Sequence, residues 1–141
     1  MKQLIMDASV AIKWFFDESE TDKARSFLRR LREKEVQMIV PELFYYEFAN
    51  TCWKKVKKKL ASFDDASQAL DQLMELPLTR YRDEELADVA FTNAAQYDIS
   101  AYDGLYLALA ELYVAPLVTA DEDLLARCRG RFDFIESLKN L

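Results

Sequence analysis

Histidine is absent from these 141 residues. That excludes imidazole acid–base chemistry and the usual zinc sites, both of which depend on a ring nitrogen. Glycine occurs twice and proline three times, so a glycine-rich phosphate loop cannot be built, and no Gly/Ser/Pro linker divides the chain. A single domain over 1–141 is expected, long enough to bury a real core. The two cysteines, Cys52 and Cys128, are far apart and fall in expected helices. They read as reduced core thiols of a cytoplasmic protein. No stretch approaches the roughly 20 apolar residues of a membrane span, and the N-terminus lacks the pattern of a signal peptide. Net charge is −6, which argues against coating nucleic acid through the overall field but leaves local basic patches open.

What is present is a set of acids in unusual company. Ser100-Ala101-Tyr102-Asp103-Gly104-Leu105-Tyr106-Leu107-Ala108-Leu109-Ala110 holds one charge, Asp103, in an otherwise uncharged helix. A helix apolar all round is normally buried, and a lone charge is expensive to bury. Asp7 follows Leu4-Ile5-Met6, Glu47 lies inside Phe44-Tyr45-Tyr46-Glu47-Phe48-Ala49, and Asp121 follows Leu117-Val118-Thr119-Ala120. Most other acids sit in charged runs such as Asp83-Glu84-Glu85. The working hypothesis is that Asp7, Glu47, Asp103 and Asp121 meet around a divalent cation.

In chain order, Gln3–Met6 reads as a buried strand, followed by a helix to about Phe16. Asp7 thus lies at the carboxyl end of the first strand, where open α/β sheets place ligands, or it caps the next helix. Ser9 either hydrogen-bonds a neighbouring carboxylate or backbone group or is a plain first-turn serine. Ser19–Glu35 is an amphipathic helix with an Ala24, Phe27, Leu28 and Leu31 stripe. Val36–Val40 is a second strand closed by Pro41.

A helix then runs from about Glu42 to Leu60, with Leu43, Glu47, Asn50, Thr51 and Lys54 on one side. Glu47 either points with the apolar residues or snorkels from a half-exposed face. Five lysines, Lys54, Lys55, Lys57, Lys58 and Lys59, fill six positions. They are a solvated helix end favoured by the dipole or a phosphate-contacting patch. Further elements are a helix Ser62–Glu75, a strand Leu78–Arg82, a helix from Asp83 to about Tyr97 and the helix around Asp103. Ser100-x-x-Asp103 fits a capping box. Pro116–Thr119 is a strand, Thr119-x-x-Glu122 is a possible capping box, and Asp121 is a possible N-cap of a helix through about Cys128. Phe132–Ile135 alternates like an edge strand. Strands interleaved with helices argue for a parallel sheet covered on both faces.

These stretches together resemble the PIN domain family, in particular the VapC-type ribonuclease toxins. The resemblance covers essentially the whole chain. It rests on Leu-Ile-Met-Asp-Ala-Ser at the N-terminus, on Val40-Pro41-Glu42-Leu43 leading to Glu47 and Asn50, on Ser-Ala-Tyr-Asp-x-x-Tyr-Leu-Ala-Leu-Ala from Ser100, and on Leu-Val-Thr-Ala-Asp ending at Asp121. It implies an α/β three-layer sandwich with a mostly parallel central sheet of about five strands. It also implies an acidic pocket of Asp7, Glu47, Asp103 and Asp121, with Asp123 as a less regular fifth member, holding Mg²⁺ or Mn²⁺. Ser9, Asn50 and Thr119 are expected to support those carboxylates, and Lys54, Lys55, Lys57 and Lys58 to hold RNA phosphates. An RNA substrate, a cognate VapB-like antitoxin and a homodimer are implied by the resemblance alone.

The chemistry is consistent with the residues. Hard cations take oxygen ligands, and Mg²⁺ keeps several waters. A metal lowers the pKa of such a water and neutralises charge on a phosphate. Haloacid-dehalogenase-like phosphatases need a second aspartate two residues after the first, where this chain has Ser9. Response-regulator receivers need a pair of acids after the first strand, which is missing here. The rival of another class is a non-catalytic module that keeps the fold and binds a partner.

Overall fold

Strand residues of this chain alternate between two cores, and that alternation sets the layers. The computed structural model describes residues 1–128 and 130–141. Five strands, β1 (Lys2–Met6), β2 (Val36–Pro41), β3 (Thr79–Tyr81), β4 (Leu117–Thr119) and β5 (Ile135–Ser137), form one sheet in the order β3-β2-β1-β4-β5. Every pairing is parallel. Leu4, Met6, Met38, Val40 and Val118 face one side. They pack under helices α1 (Ala8–Ala11), α2 (Thr21–Arg32), α3 (Leu43–Lys57) and α4 (Phe63–Glu75). Ile5, Ile39 and Leu117 face the other side, under α5 (Ala87–Tyr97), α6 (Ala101–Tyr113) and α7 (Glu122–Cys128). A residue shift of one in a strand exchanges the two sets, so the register is strongly specified. Each fully buried Leu or Ile contributes roughly 1.5–3 kcal/mol to it.

The expected α/β sandwich with helices on both faces is therefore the architecture found. Element ends differ in places. The helix expected after the first strand, to about Phe16, is α1 followed by a 3₁₀ turn at Ile12–Trp14. The helix expected from Asp83 begins as a 3₁₀ turn, Asp83–Leu86, before α5. The strand expected at Phe132–Ile135 lies further on, at Ile135–Ser137. Phe132 stacks edge-on to Tyr97 at 4.8 Å and meets Phe134 at 5.3 Å. These rings fill the α5 side of the core, and the ladder starts only where they end.

The strand order places a topological switch point between β1 and β4, because the chain leaves β1 toward β2 on one side and returns to β4 on the other. Ligands of open α/β sheets bind outside the carboxyl ends of the strands at such a point. Asp7 follows β1 there, and Asp121 lies two residues beyond the end of β4.

Candidate active site

Asp7 anchors the site. It continues β1 beside β4, its amide donating to the Val118 carbonyl at 3.1 Å. It occupies the N-cap position of α1, but its carboxylate makes no cap hydrogen bond. Instead Oδ2 accepts from the Thr119 hydroxyl at 2.7 Å and from the Ser9 hydroxyl at 2.9 Å. Thr119 is wholly buried and Asp7 is 7% exposed, so the bonds are formed away from competing water. Both hydroxyls also accept: Thr119 Oγ1 from the Asp121 amide at 3.0 Å, and Ser9 Oγ from the Ala120 amide at 2.9 Å. Ser9 and Thr119 thus tie the end of β1 to the turn after β4. Of the two caps the sequence offers here, the Thr119–Glu122 capping box does not form, because this hydroxyl serves Asp7 and the Asp121 amide.

Asp121 is the N-cap of α7. Its Oδ1 accepts from the amides of Asp123 at 2.9 Å and Leu124 at 3.2 Å. Asp123 is exposed, its amide engaged in that cap. Asp103 enters from α6. Ser100 caps that helix, its hydroxyl accepting from the Asp103 amide at 3.0 Å. The next residue, Gly104, lets α6 approach α5. A Cβ there would lie 2.5 Å from the Ala90 carbonyl oxygen, and the Asn93 side-chain amide donates to the Gly104 carbonyl at 3.0 Å.

Glu47 comes from α3, across the sheet. Tyr106, fully buried on α6, donates its hydroxyl to Glu47 Oε1 at 2.6 Å. The start of α3 is held from a distance: Asp83 accepts from the amides of Glu42 at 2.7 Å and Leu43 at 2.8 Å, and Glu42 Oε1 accepts from the Asp83 amide at 3.0 Å. Asn50 is exposed and makes no hydrogen bond to the four carboxylates among the described residues. The expected support from Asn50 is thus not seen.

Electrostatics bind these four acids into one system. Burial pushes the Asp7 carboxyl up, opposed by the two hydroxyls and reinforced by the Asp121 charge. Burial raises Glu47 to about 7, against the Tyr106 hydrogen bond and with the charges of Asp7, Asp103 and Asp121. Burial raises Asp103 too, with Asp121 and Asp7 adding to it and Arg127 opposing. Burial, with Asp7 and Glu47 close by, also raises Tyr106 well above its ordinary range, so its hydroxyl stays a donor. Arg127, on α7, meets Asp103 Oδ2 at 3.5 Å. Among the described residues Asp7, Glu47 and Asp121 have no such counter-charge. Sequence reasoning missed both Tyr106 and Arg127. Tyr106 had a signal, a hydroxyl three residues after Asp103 on the same helix face; Arg127 had none.

An all-oxygen, mutually repelling, partly buried donor set suits a hard divalent cation. Among the described residues no three such side chains are drawn tightly enough to clasp an ion by themselves. An ion that keeps most of its waters and touches one or two carboxylates fits such a rim.

The lysines divide. Lys55 pairs with Glu18 and lies 5.2 Å from the Phe16 ring centroid. It is therefore used in the fold, and the expected phosphate contact from Lys55 loses its free charge. Lys54, Lys57, Lys58 and Lys59 are exposed.

A family model described as PIN domain matches residues 4–130. Ribonuclease VapC3 of Pyrobaculum aerophilum is 30% identical over 124 residues, covering 86% of this chain and 92% of its own length. A crystal structure from Pyrobaculum aerophilum superposes with a TM-score of 0.71 at 24% identity, covering 99% of this chain and 85% of that one. The structure of VapBC2 from Rickettsia felis bound to a DNA fragment from their promoter gives 0.66 at 15% identity, covering 96% and 98%. A toxin–antitoxin complex from Klebsiella pneumoniae gives 0.63 at 15%, covering 96% and 97%. At these identities the solved structures speak for the fold alone.

Proposed function

This chain belongs to the PIN domain family, and from that premise we propose that it is a divalent-metal-dependent endoribonuclease, the toxin of a type II toxin–antitoxin pair. The observation that carries the reading is the convergence of Asp7, Glu47, Asp103 and Asp121 on one rim of the sheet, charge-coupled and with one arginine against them. Such a cluster repels itself unless a cation joins it.

Asp7, Asp103, Asp121 and, when ionised, Glu47 would hold Mg²⁺ or Mn²⁺, with Asp123 in reserve at the rim. When bound, such an ion would supply an activated water and positive charge to offset that of the phosphate. The chain supplies the rest. Thr119 and Ser9 fix the Asp7 carboxyl group in place and oppose the upward push of burial, since their hydroxyls donate to it. Tyr106 aims Glu47. Asp121 is held by one oxygen in its cap. Lys54, Lys57 and Lys58 attract the RNA backbone. RNA as substrate is supported by the relative named a ribonuclease. A VapB-like antitoxin as partner is in keeping with the toxin–antitoxin complexes named among structures of the same fold. A homodimer in the cytoplasm completes the reading; no helix among the described residues is long and apolar enough to cross a membrane.

The test is cleavage of single-stranded RNA with Mg²⁺ or Mn²⁺, in excess EDTA, and by Asp103→Asn. Cleavage should stop in EDTA and fall about 100-fold or more in the variant, in line with the several kcal/mol a metal supplies. The variant should fold: its lost ion pair is to a half-exposed arginine, worth about 0–1 kcal/mol. Full activity in EDTA, or in a folded Asp103→Asn, would overturn the proposal.

A further inference from the structure

On α3, the helix that carries Glu47, two large aromatic side chains stand in water. Tyr46 is 75% exposed and Trp53 is 58% exposed. Asn50 and Lys57 are also exposed. At roughly 100° per residue, positions 46, 50, 53 and 57 fall within about 60° of one another, so they form one stripe. Asn50, the member nearest Glu47 in azimuth, is about 60° from it, and exposed Lys54 lies between. The stripe therefore runs alongside the acidic rim, with its lysine end away from the carboxylates.

We infer that this stripe is a track for single-stranded RNA, with bases stacked on Tyr46 and Trp53 and phosphates held by Lys54 and Lys57. The inference rests on the ribonuclease reading and deepens it, since it assigns the side chains that hold the bases of the substrate. Three observations favour a nucleic acid over a protein occupant. The stripe is not apolar, because Asn50 stands between the rings and lysines border it. The lysines are a local exception in a chain of net charge −6, and a polyanion complements them. The apolar groove of this helix lies to one side, lined by Ala49, Cys52, Trp53 and Val56 with Phe63 and Leu70 of α4, and it takes in Trp53 but none of Tyr46, Asn50 and Lys57. An aromatic platform beside a basic groove is the general device for sequence-tolerant binding of single strands. Tyr46 and Trp53 are about 10 Å apart along the helix axis, which leaves each ring free to take a base of its own.

The test uses the full chain and a single-stranded oligoribonucleotide in EDTA, where cleavage stops. Trp14, the second tryptophan, is 4% exposed with its indole donating to the Ala24 carbonyl. Solvent-accessible emission therefore reports Trp53. The oligonucleotide should quench it saturably, and an abasic strand of equal length should not. Tyr46→Ala and Trp53→Ala should each weaken binding roughly 5- to 150-fold, and Trp53→Phe should restore most of the loss. Binding as tight as wild type in both alanine variants, with wild-type cleavage intact, would overturn the track and leave the ribonuclease reading standing. A change of oligomeric state in Trp53→Ala with RNA affinity kept would overturn it in favour of a protein interface. If the wild type neither binds nor cuts RNA under any condition, the ribonuclease reading itself fails and the track falls with it.

Discussion

Replacing Glu47 by glutamine should stabilise the metal-free protein at alkaline pH and leave it unchanged at acid pH. Glu47 is raised from 4.5 to about 7, chiefly by burial. Between those two values the folded chain holds a proton that the unfolded chain has released. Stability of the wild type therefore falls as pH rises through that window and levels off above it. A shift of this size corresponds to at most ~3 kcal/mol. Glu47 keeps part of its surface in water, so solvent and ions reduce the figure to about 1–2 kcal/mol. Asp7 and Asp103 are raised as well and contribute with the same sign. Both remain in Glu47→Gln, so the difference between the two proteins isolates position 47. The glutamine carbonyl still accepts from Tyr106, so the comparison is not confounded by a stranded hydroxyl. The assay is urea unfolding in EDTA from about pH 5 to about pH 8. The two stability curves should meet at the acid end and separate at the alkaline end, with the variant higher. Parallel curves, or a wild type that gains stability with pH more steeply than the variant, would show that Glu47 is not held in the like-charged, water-poor site described.

Two further outcomes test the surroundings of the site. Replacing Lys54, Lys57 and Lys58 together by glutamine should flatten the dependence of log affinity on log salt by about 2, at roughly 0.7 for each phosphate contact on a single strand. Titrations of RNA across salt concentrations read this, and an unchanged slope would return the lysines to a solvated helix end. Gly104→Ala should destabilise the fold by about 1–3 kcal/mol or more, because the new methyl group meets the Ala90 carbonyl at 2.5 Å. The gain in helix propensity, about 1 kcal/mol, offsets only part of it, and a urea midpoint at or above that of wild type would mean that α5 and α6 are not in close contact.

The parts of the fold legible in the sequence are those whose signals are local. Leu4-Ile5-Met6 and Val36–Val40 are short apolar runs with strand-formers, and they are β1 and β2. The last strand was misplaced because alternation in Phe132-Asp133-Phe134-Ile135 has two causes. Here the rings alternate to pack on Tyr97 and on each other, and only the Phe134 carbonyl, accepting from the Leu117 amide at 2.9 Å, anticipates the ladder. Asp83 shows the same limit from the other side. It stands in the run Asp83-Glu84-Glu85, which reads as a solvated face, yet it caps the start of α3 from 40 residues away. A cap supplied from another element leaves no spacing to find. Arg127 is hidden for the same reason.

The four acids were legible because each is a charge among apolar neighbours, but that signal does not by itself separate a cap from a ligand. The structure shows why the choice was partly a false one. Asp121 caps α7, and Asp103 lies in the capped first turn of α6. The amino end of a helix carries partial positive charge and unpaired amides, so it lowers the cost of keeping an anion out of water. A sheet that ends strands in helix starts at its switch point therefore collects such positions on one rim. Asp7 departs from the pattern: it holds a cap position, but its carboxylate is committed to Thr119 and Ser9. A carboxylate needed only as a cap would turn to the helix amides beside it. That Asp7 does not, and takes two hydroxyl donors in a buried place instead, is the feature that capping alone leaves without a reason.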